Sequence, residues 1–396
     1  MIRVLVPRER QPGETRVAAT PETVKRLRGR GCAVWLERQA GLRSGYADEA
    51  YAEAGAELFQ GEGPEAAERW AEADVVLAVQ TPGAPGTEAE AGGSGLEALR
   101  PEALLLGLLN PHGDHSLIER LERQRLSAVA LELLPRISRA QAMDVLSSQA
   151  NIAGYKAVLL AAAALDRFFP MLMTAAGTVQ PARVVVLGAG VAGLQAVATA
   201  RRLGALVKVS DVRPAAREQV ESLGARFIEP PRLEEAPGEV GGYAREAGAV
   251  FLEAQRQLLA PHLAEADVVI TTAQVPGRPA PLLITREMLG LLRPGAVVVD
   301  LAVGQGGNCA GSRSDASVDV DGVTVIGAGN LPASLPQHAS ALYARNLAAL
   351  LEALIQEGEL RLDPEDPLLD PCLLSHAGVC RREDLRPARA GQEVAA

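Results

Sequence analysis

The chain has 396 residues, 48% of them hydrophobic and 22% charged, with a formal net charge of −10. That length suits two domains with sizeable cores, and the composition excludes wholesale disorder. The negative balance argues against nucleic acid or an acidic membrane surface as the main partner. Only three lysines occur, Lys25, Lys156 and Lys208, so candidates for a catalytic lysine are few. Cys32, Cys309, Cys372 and Cys380 show no C-x-x-C pairing, which makes a reducing cytoplasm the default. MIRVLVPRER enters a strand directly, without a signal-peptide pattern. No window reaches the ~18–20 uninterrupted apolar residues of a membrane helix, so no direct membrane insertion is expected.

Residues 2–6 read as a first strand, followed by the turn PRERQPGETRVAATPE, a helix over 21–30 and the strand CAVWLE. Residues 74–79 and 103–109 are further buried strands, and 128–131 is another. Helical stretches around 48–56, 64–73 and 116–124 separate them, and the acidic, Gly-rich 88–94 reads as a surface loop. This alternation predicts an α/β fold with doubly wound parallel sheets. The stretch 134–165, LPRISRAQAMDVLSSQANIAGYKAVLLAAAAL, turns helical in its second half and reads as the connection between domains.

Residues 183–213 carry the strongest signal. Val184 to Leu187 form a short apolar run, as a strand buried on both faces should. Gly188, Gly190 and Gly193 follow as G-x-G-x-x-G, a helix runs from Val191, and a second strand, 206–209, leads to Asp211. The glycines serve a tight turn, backbone approach to a pyrophosphate and close helix-on-strand packing. The helix N-terminus would hold the phosphates, and Asp211 lies about where a ribose-binding carboxylate belongs, near the usual ~20 residues downstream. The acid favours NAD over NADP, an argument blunted by Arg213. Beyond this unit, 230–242 reads as a mobile loop and 243–259 as a helix stopping before Pro261. Residues 267–273 form a strand, 285–292 a short helix, 296–301 a buried strand and 323–326 the last strand of this half. A helix over 340–356 is long enough to pack back on the first domain. The tail after Glu359, rich in Pro and charge, is expected to be partly disordered.

No metal site is expected. His112 and His115 fall in a loop with no further His or Cys nearby. Neither a P-loop nor a G-x-S-x-G nucleophile motif occurs. In 136–147, RISRAQAMDVLS, Ser138 and Gln141 taken alone make a helix-start capping pair, with Asp144 in the first turns. That reading leaves Arg136 unexplained.

These residues resemble the NAD(H)-binding domain I of the proton-translocating nicotinamide nucleotide transhydrogenase, a domain that shares its fold with alanine dehydrogenase. The resemblance extends to about Gln356. It rests on PRERQPGETRVAATP, RISRAQAMDVLSSQANIAGYKAV, GAGVAG with DVRPAAREQVESLGA, VGGYA, TTAQVPGRPAPLLIT and VVVDLAVGQGGNC. It implies two Rossmann-like domains, 1–136 plus 331–396 and 137–330, with a nucleotide cleft between them. Arg136, Gln141 and Asp144 match a loop beside the nicotinamide of NADH that reaches toward NADP on a partner, and Ser147 lies near the carboxamide. Gly188, Gly190, Val191, Ala192, Gly193, Asp211, Val212 and Arg213 would bind the cofactor, with Ala273 and Gln274. Gly241, Gly242 and Tyr243 match a mobile loop that folds over bound nucleotide.

The implied function is hydride transfer from NADH to NADP+ held on a partner subunit. NAD(H) would be this chain's cofactor and NADP(H) the partner's. The resemblance also implies a homodimer, membrane-spanning and NADP-binding partner subunits, and a peripheral place at the cytoplasmic membrane face. Alanine dehydrogenase is the discriminating alternative. It binds pyruvate through an Arg, a Lys, a His and an Asp, and this chain keeps Arg16 but has Gln80, Asn110 and Gly304 at the other three positions. A non-catalytic NADH-binding regulator is the third reading.

Overall fold

The computed structural model describes residues 1–83, 95–114, 116–231, 239–240, 243–244, 248–275 and 277–386. The expected loop at 88–94, His115, Gly241, Gly242 and the end of the tail lie outside the described residues. Two compact units form, one of Met1–Gln149 with Leu335–Ala396 and one of Ala150–Ser334.

The first unit is built on an eight-stranded sheet. Its order is Glu57–Phe59, Cys32–Glu37, Ile2–Val6, Val75–Gln80, Leu104–Leu108, Ser127–Ala130, Leu373–His376 and Val379–Cys380. The first six are parallel and follow the order 3-2-1-4-5-6 of a doubly wound nucleotide-binding sheet. Both faces are covered, so Val4, Leu5, Val6, Val75, Val76 and Leu105 are buried alike, and strict alternation is absent. The helix Pro336–Leu354 lays Tyr343, Leu347, Leu350 and Leu351 into this core. It starts four residues earlier than expected because Pro336 is pre-set for a first helical position.

The tail through residue 386 departs from the expected disorder. Leu368, Leu369, Cys372, Leu373 and Leu374 are buried, and Leu373–His376 adds an antiparallel strand beside Ser127–Ala130. A short apolar run suffices where the unpaired N–H and C=O groups of a sheet edge are waiting, whatever the charge around it.

The second unit holds a seven-stranded sheet in the order Arg226–Ile228, Leu206–Ser210, Arg183–Leu187, Val268–Thr271, Val297–Asp300, Val323–Gly327 and Ala316–Val320. It repeats the 3-2-1-4-5-6 parallel order and adds Ala316–Val320 as an antiparallel edge. The helix expected over 243–259 instead spans Ala249–Ala264 and contains Pro261. Pro261 leaves the carbonyl of Gln257 without its partner, but Gln257 is exposed and water can serve it. Tyr243–Ala244 pairs antiparallel with Glu239–Val240. No described helix is long and apolar enough to cross a membrane.

Candidate functional site

In the second unit the Gly-rich turn adopts the expected geometry, and each glycine has its own reason. Gly188 has φ +106°, a region L side chains avoid, and a Cβ there would overlap Thr272 Oγ1. A Cβ on Gly193 would overlap the Gly188 carbonyl oxygen, so the helix rests directly on the turn. A Cβ on Gly190 would meet nothing within 4 Å, which leaves room for a ligand at that point. The helix Val191–Arg202 starts there without a side-chain cap, leaving first-turn N–H groups for a phosphate. Val191 and Ala192 are half-buried in that turn. A Cβ on Gly154 would overlap the Ala192 carbonyl, so that stretch of the helix Val145–Ala164 crosses the first turn backbone to backbone.

Asp211 is buried at the end of Leu206–Ser210. Its carboxylate accepts the Ala189 N–H at 2.7 Å, so it ties the second strand to the Gly-rich turn. It also accepts Arg213 N at 2.9 Å, Nε at 2.9 Å and Nη2 at 3.1 Å. Arg213 thus offsets the charge of Asp211 directly, and half-buried Val212 lies between them.

Ala273 and Gln274 follow the next strand and are held by a knot that sequence reading missed. Buried Asp300 accepts from Thr271 Oγ1, Ala302 N, Asn308 N and Cys309 N at 2.9–3.1 Å. Buried Asn308 then grips Ala273 on both sides, accepting its N–H at 3.0 Å and donating to its carbonyl at 2.9 Å. Gln274 Nε2 donates to Leu301 O at 2.8 Å. Thr272 Oγ1 reaches the Leu187 and Gly188 carbonyls at 3.2 and 3.3 Å. The signal was present: an acid closing the apolar strand VVVD must find donors, and G-G-N supplies them. Burial and the Asp300 charge push the Cys309 thiol up to about 12, so it is inert. A Cβ on Gly304 would meet nothing within 4 Å, so packing does not demand glycine there.

In the first unit, Ser138–Met143 is a 3₁₀ turn and the helix begins at Val145. The expected Ser138–Gln141 capping pair does not form. Asp144 takes that place, accepting Ser147 N at 2.9 Å and Ser147 Oγ at 2.6 Å. Arg136 and Gln141 are exposed, while Asp144 and Ser147 are half-buried. Tyr243 is described only as part of its strand, and Gly242 lies outside the described residues. Among the described residues no group of three or more His, Cys, Asp or Glu is placed to hold a metal.

The alanine dehydrogenase positions converge in the first unit. Arg16 is fully engaged: Nε and Nη2 bind Glu14 at 2.7 and 2.6 Å, and Nη1 donates to Gln149 Oε1 at 2.9 Å. Gln80 Nε2 donates to the same Glu14 carboxylate at 3.1 Å. Asn110 donates its backbone N–H to Glu132 at 2.5 Å. Burial opposes the charge on Glu14, but the Arg16 guanidinium wins and holds its carboxyl down to about 2. Burial and the charge of Glu14 push Glu9 up to about 8, and burial pushes Glu132 up to about 7.

The folded chain therefore holds protons on Glu9 and Glu132 at pH values where the unfolded chain has released them. Their contribution is fully present below about 4.5 and is lost as pH rises through 7 to 8. Glu14 runs the other way, contributing above about 4.5 and losing that as pH falls toward 2. The thermal midpoint should therefore fall between pH 6 and 9, and Glu9→Gln should flatten the fall. A midpoint constant across that range in the wild type would show Glu9 to be ionised throughout.

The alanine dehydrogenase/PNT N-terminal domain family matches residues 5–153 and the corresponding C-terminal domain family matches 157–383. The first portion of NAD(P) transhydrogenase subunit alpha from Rhodospirillum rubrum, a chain in its own right, is 46% identical over 99% of this chain and 100% of its own. The crystal structure of a transhydrogenase from Sinorhizobium meliloti superposes with a TM-score of 0.83 at 44% identity, covering 96% of this chain and 99% of that one. An alanine dehydrogenase of Mycobacterium tuberculosis is 30% identical over 96% of this chain and 95% of its own. The chain belongs to the alanine dehydrogenase/PNT family, and within it is more similar to these transhydrogenases than to that alanine dehydrogenase.

Proposed function

We propose that this chain is the NADH-binding subunit of a proton-translocating transhydrogenase, transferring hydride from NADH to NADP+ held on a partner subunit. The observation that carries the reading is the state of Arg16, whose donors are taken up by Glu14 and Gln149 while Gln80 stands where a lysine would be needed. An amino-acid dehydrogenase needs those groups to hold an oxo acid and move a proton. Hydride passing between two nicotinamides releases no proton and needs no general acid. It needs two rings held at near-attack distance with water kept out.

NADH would supply the hydride. Gly188, Gly190, Val191, Ala192 and Gly193 would receive its pyrophosphate, and Asp211, Val212 and Arg213 its adenosine ribose. Ala273 and Gln274, fixed by Asn308 and Leu301, would line the same nucleotide, with Gly242 and Tyr243 from the loop that closes on it. Arg136 and Asp144 would orient the nicotinamide, Ser147 its carboxamide, and Gln141 would reach the acceptor. The nucleotide-binding residues thus come mainly from 188–274 and the orienting residues from 136–147.

The partners would be membrane-spanning and NADP-binding subunits, which keep this chain peripheral at the cytoplasmic face. A homodimer fits the exposed apolar side chains Phe168, Met171 and Met173 at the hairpin Leu172–Thr174/Gly177–Val179. Fluorescence titration of the isolated chain tests the cofactor. NADH should bind at least about tenfold more tightly than NADPH, about 1.4 kcal/mol, because a 2′-phosphate meets Asp211. Arg213→Ala removes the counter-charge and should widen the gap; equal affinities for the two nucleotides would contradict the assignment.

A further inference from the structure

We infer that Asn346 and Asp366 are positioning residues for the Arg136–Gln141–Asp144 group, clamping the turn that carries Gln141 from two sides. The inference rests on the hydride-transfer reading above. Ser138–Met143 is six residues of 3₁₀ helix, and such runs rarely exceed 3–4 residues because their hydrogen bonds are poor. Ala140 and Met143 anchor its underside by burial, while Gln141 and Ala142 are exposed. Its shape therefore depends on ties from outside.

Asn346, on the helix Pro336–Leu354, supplies the first tie. Its Nδ2 donates to the carbonyl of Ala142, next to Gln141, at 2.8 Å, and its Oδ1 accepts from Ser148 Oγ at 2.8 Å. A carbonyl only accepts, which fixes the orientation of the amide. One side chain thus bridges the turn and the first turns of the helix capped by Asp144. The bridge continues inward: Gln149 Nε2 donates to Ser148 Oγ at 3.3 Å and to Ala339 O at 3.1 Å, and Gln149 Oε1 accepts from Arg16. The Arg16–Glu14–Gln80 cluster, which would serve substrate in a dehydrogenase, is here the buried anchor of this line.

Asp366 supplies the second tie from the tail. Both its oxygens meet Arg139 Nη1, at 2.9 and 2.8 Å, and Oδ1 also accepts the N–H of Leu368, which is fully buried. Arg139 is half exposed, so the pair adds little stability. Its consequence is the direction in which the turn points.

Asn346→Asp keeps the acceptor for Ser148, loses the donor to Ala142 and sets a carboxylate against that carbonyl. Asp366→Asn weakens the second tie at an exposed site. Each would be assembled with its partner subunits and read for single-turnover hydride transfer, NADH Kd of the isolated chain, and Tm, with Gln141→Asn run in parallel. A displacement of about 1 Å should slow transfer by about tenfold to hundredfold. We expect that loss in both clamp variants, with Kd within about twofold and Tm unchanged, a pattern general unfolding does not produce. A slow Gln141→Asn beside wild-type rates in the clamp variants overturns the clamp alone. Wild-type rates in all three overturn the role of the turn itself. If Asn346→Asp fails to fold, Asp366→Asn decides, and a wild-type rate there overturns the inference.

Discussion

Gly193→Ala should abolish useful NADH binding, raising Kd by about a hundredfold or more, and should lower stability by about 1–3 kcal/mol. The added methyl lands on the Gly188 carbonyl oxygen and within 3.3 Å of Thr272 Oγ1, so it meets backbone that cannot rotate away. The helix Val191–Arg202 must lift from the turn, and its N-terminal N–H groups leave the place where a pyrophosphate would sit. Gly190→Ala makes the control. Gly190 has φ −74°, open to any residue, and its Cβ would point into empty space. That variant should keep its Tm and still bind NADH less tightly, because the methyl occupies the ligand's space. A Gly193→Ala chain with wild-type Tm and Kd would mean the turn is not a nucleotide site.

The contrast between these glycines marks what was legible in the sequence. Gly188 is required by its own backbone angle and Gly193 by the carbonyl of Gly188, so a local pattern reports both. The two buried runs VVVL and VVIT were legible because parallel strands covered on both faces are continuously apolar. Asp300 and Asn308 were not, since their partners Thr271, Ala273 and Pro281 come from a different strand and the loop after it. The edge strand Ala316–Val320 was hidden by mostly polar, half-exposed residues, as an edge permits. At 138–144 a spacing rule fitted two registers: S-x-x-Q matched the capping pattern, but Asp144 took the cap. The tail was misjudged for a related reason, because its apolar residues are few and matter only beside the edge that Ser127–Ala130 offers.

Gln141→Asn should slow hydride transfer by about a hundredfold in the assembled enzyme while leaving the Kd for NADH within about twofold. The residue is exposed, so shortening it by one methylene costs no packing. It lies on a turn whose neighbours are tied by Asn346, Asp366 and the Asp144 cap, so the backbone stays and only the reach changes. A loss of rate without loss of affinity removes an interaction made only on the way to the transition state. A nucleotide-sensing protein would instead show no rate to lose, and a dehydrogenase would depend on Arg16 and Gln80 rather than on Gln141.

The central claim is tested most directly by following NADH absorbance in two mixtures. In one, the chain is alone with pyruvate and ammonium; in the other, it is added to or omitted from an NADP-loaded transhydrogenase partner domain. The account predicts no turnover in the first and, in the second, turnover that depends on this chain. Steady NADH turnover with pyruvate and ammonium, or none with the partner domain, would contradict it.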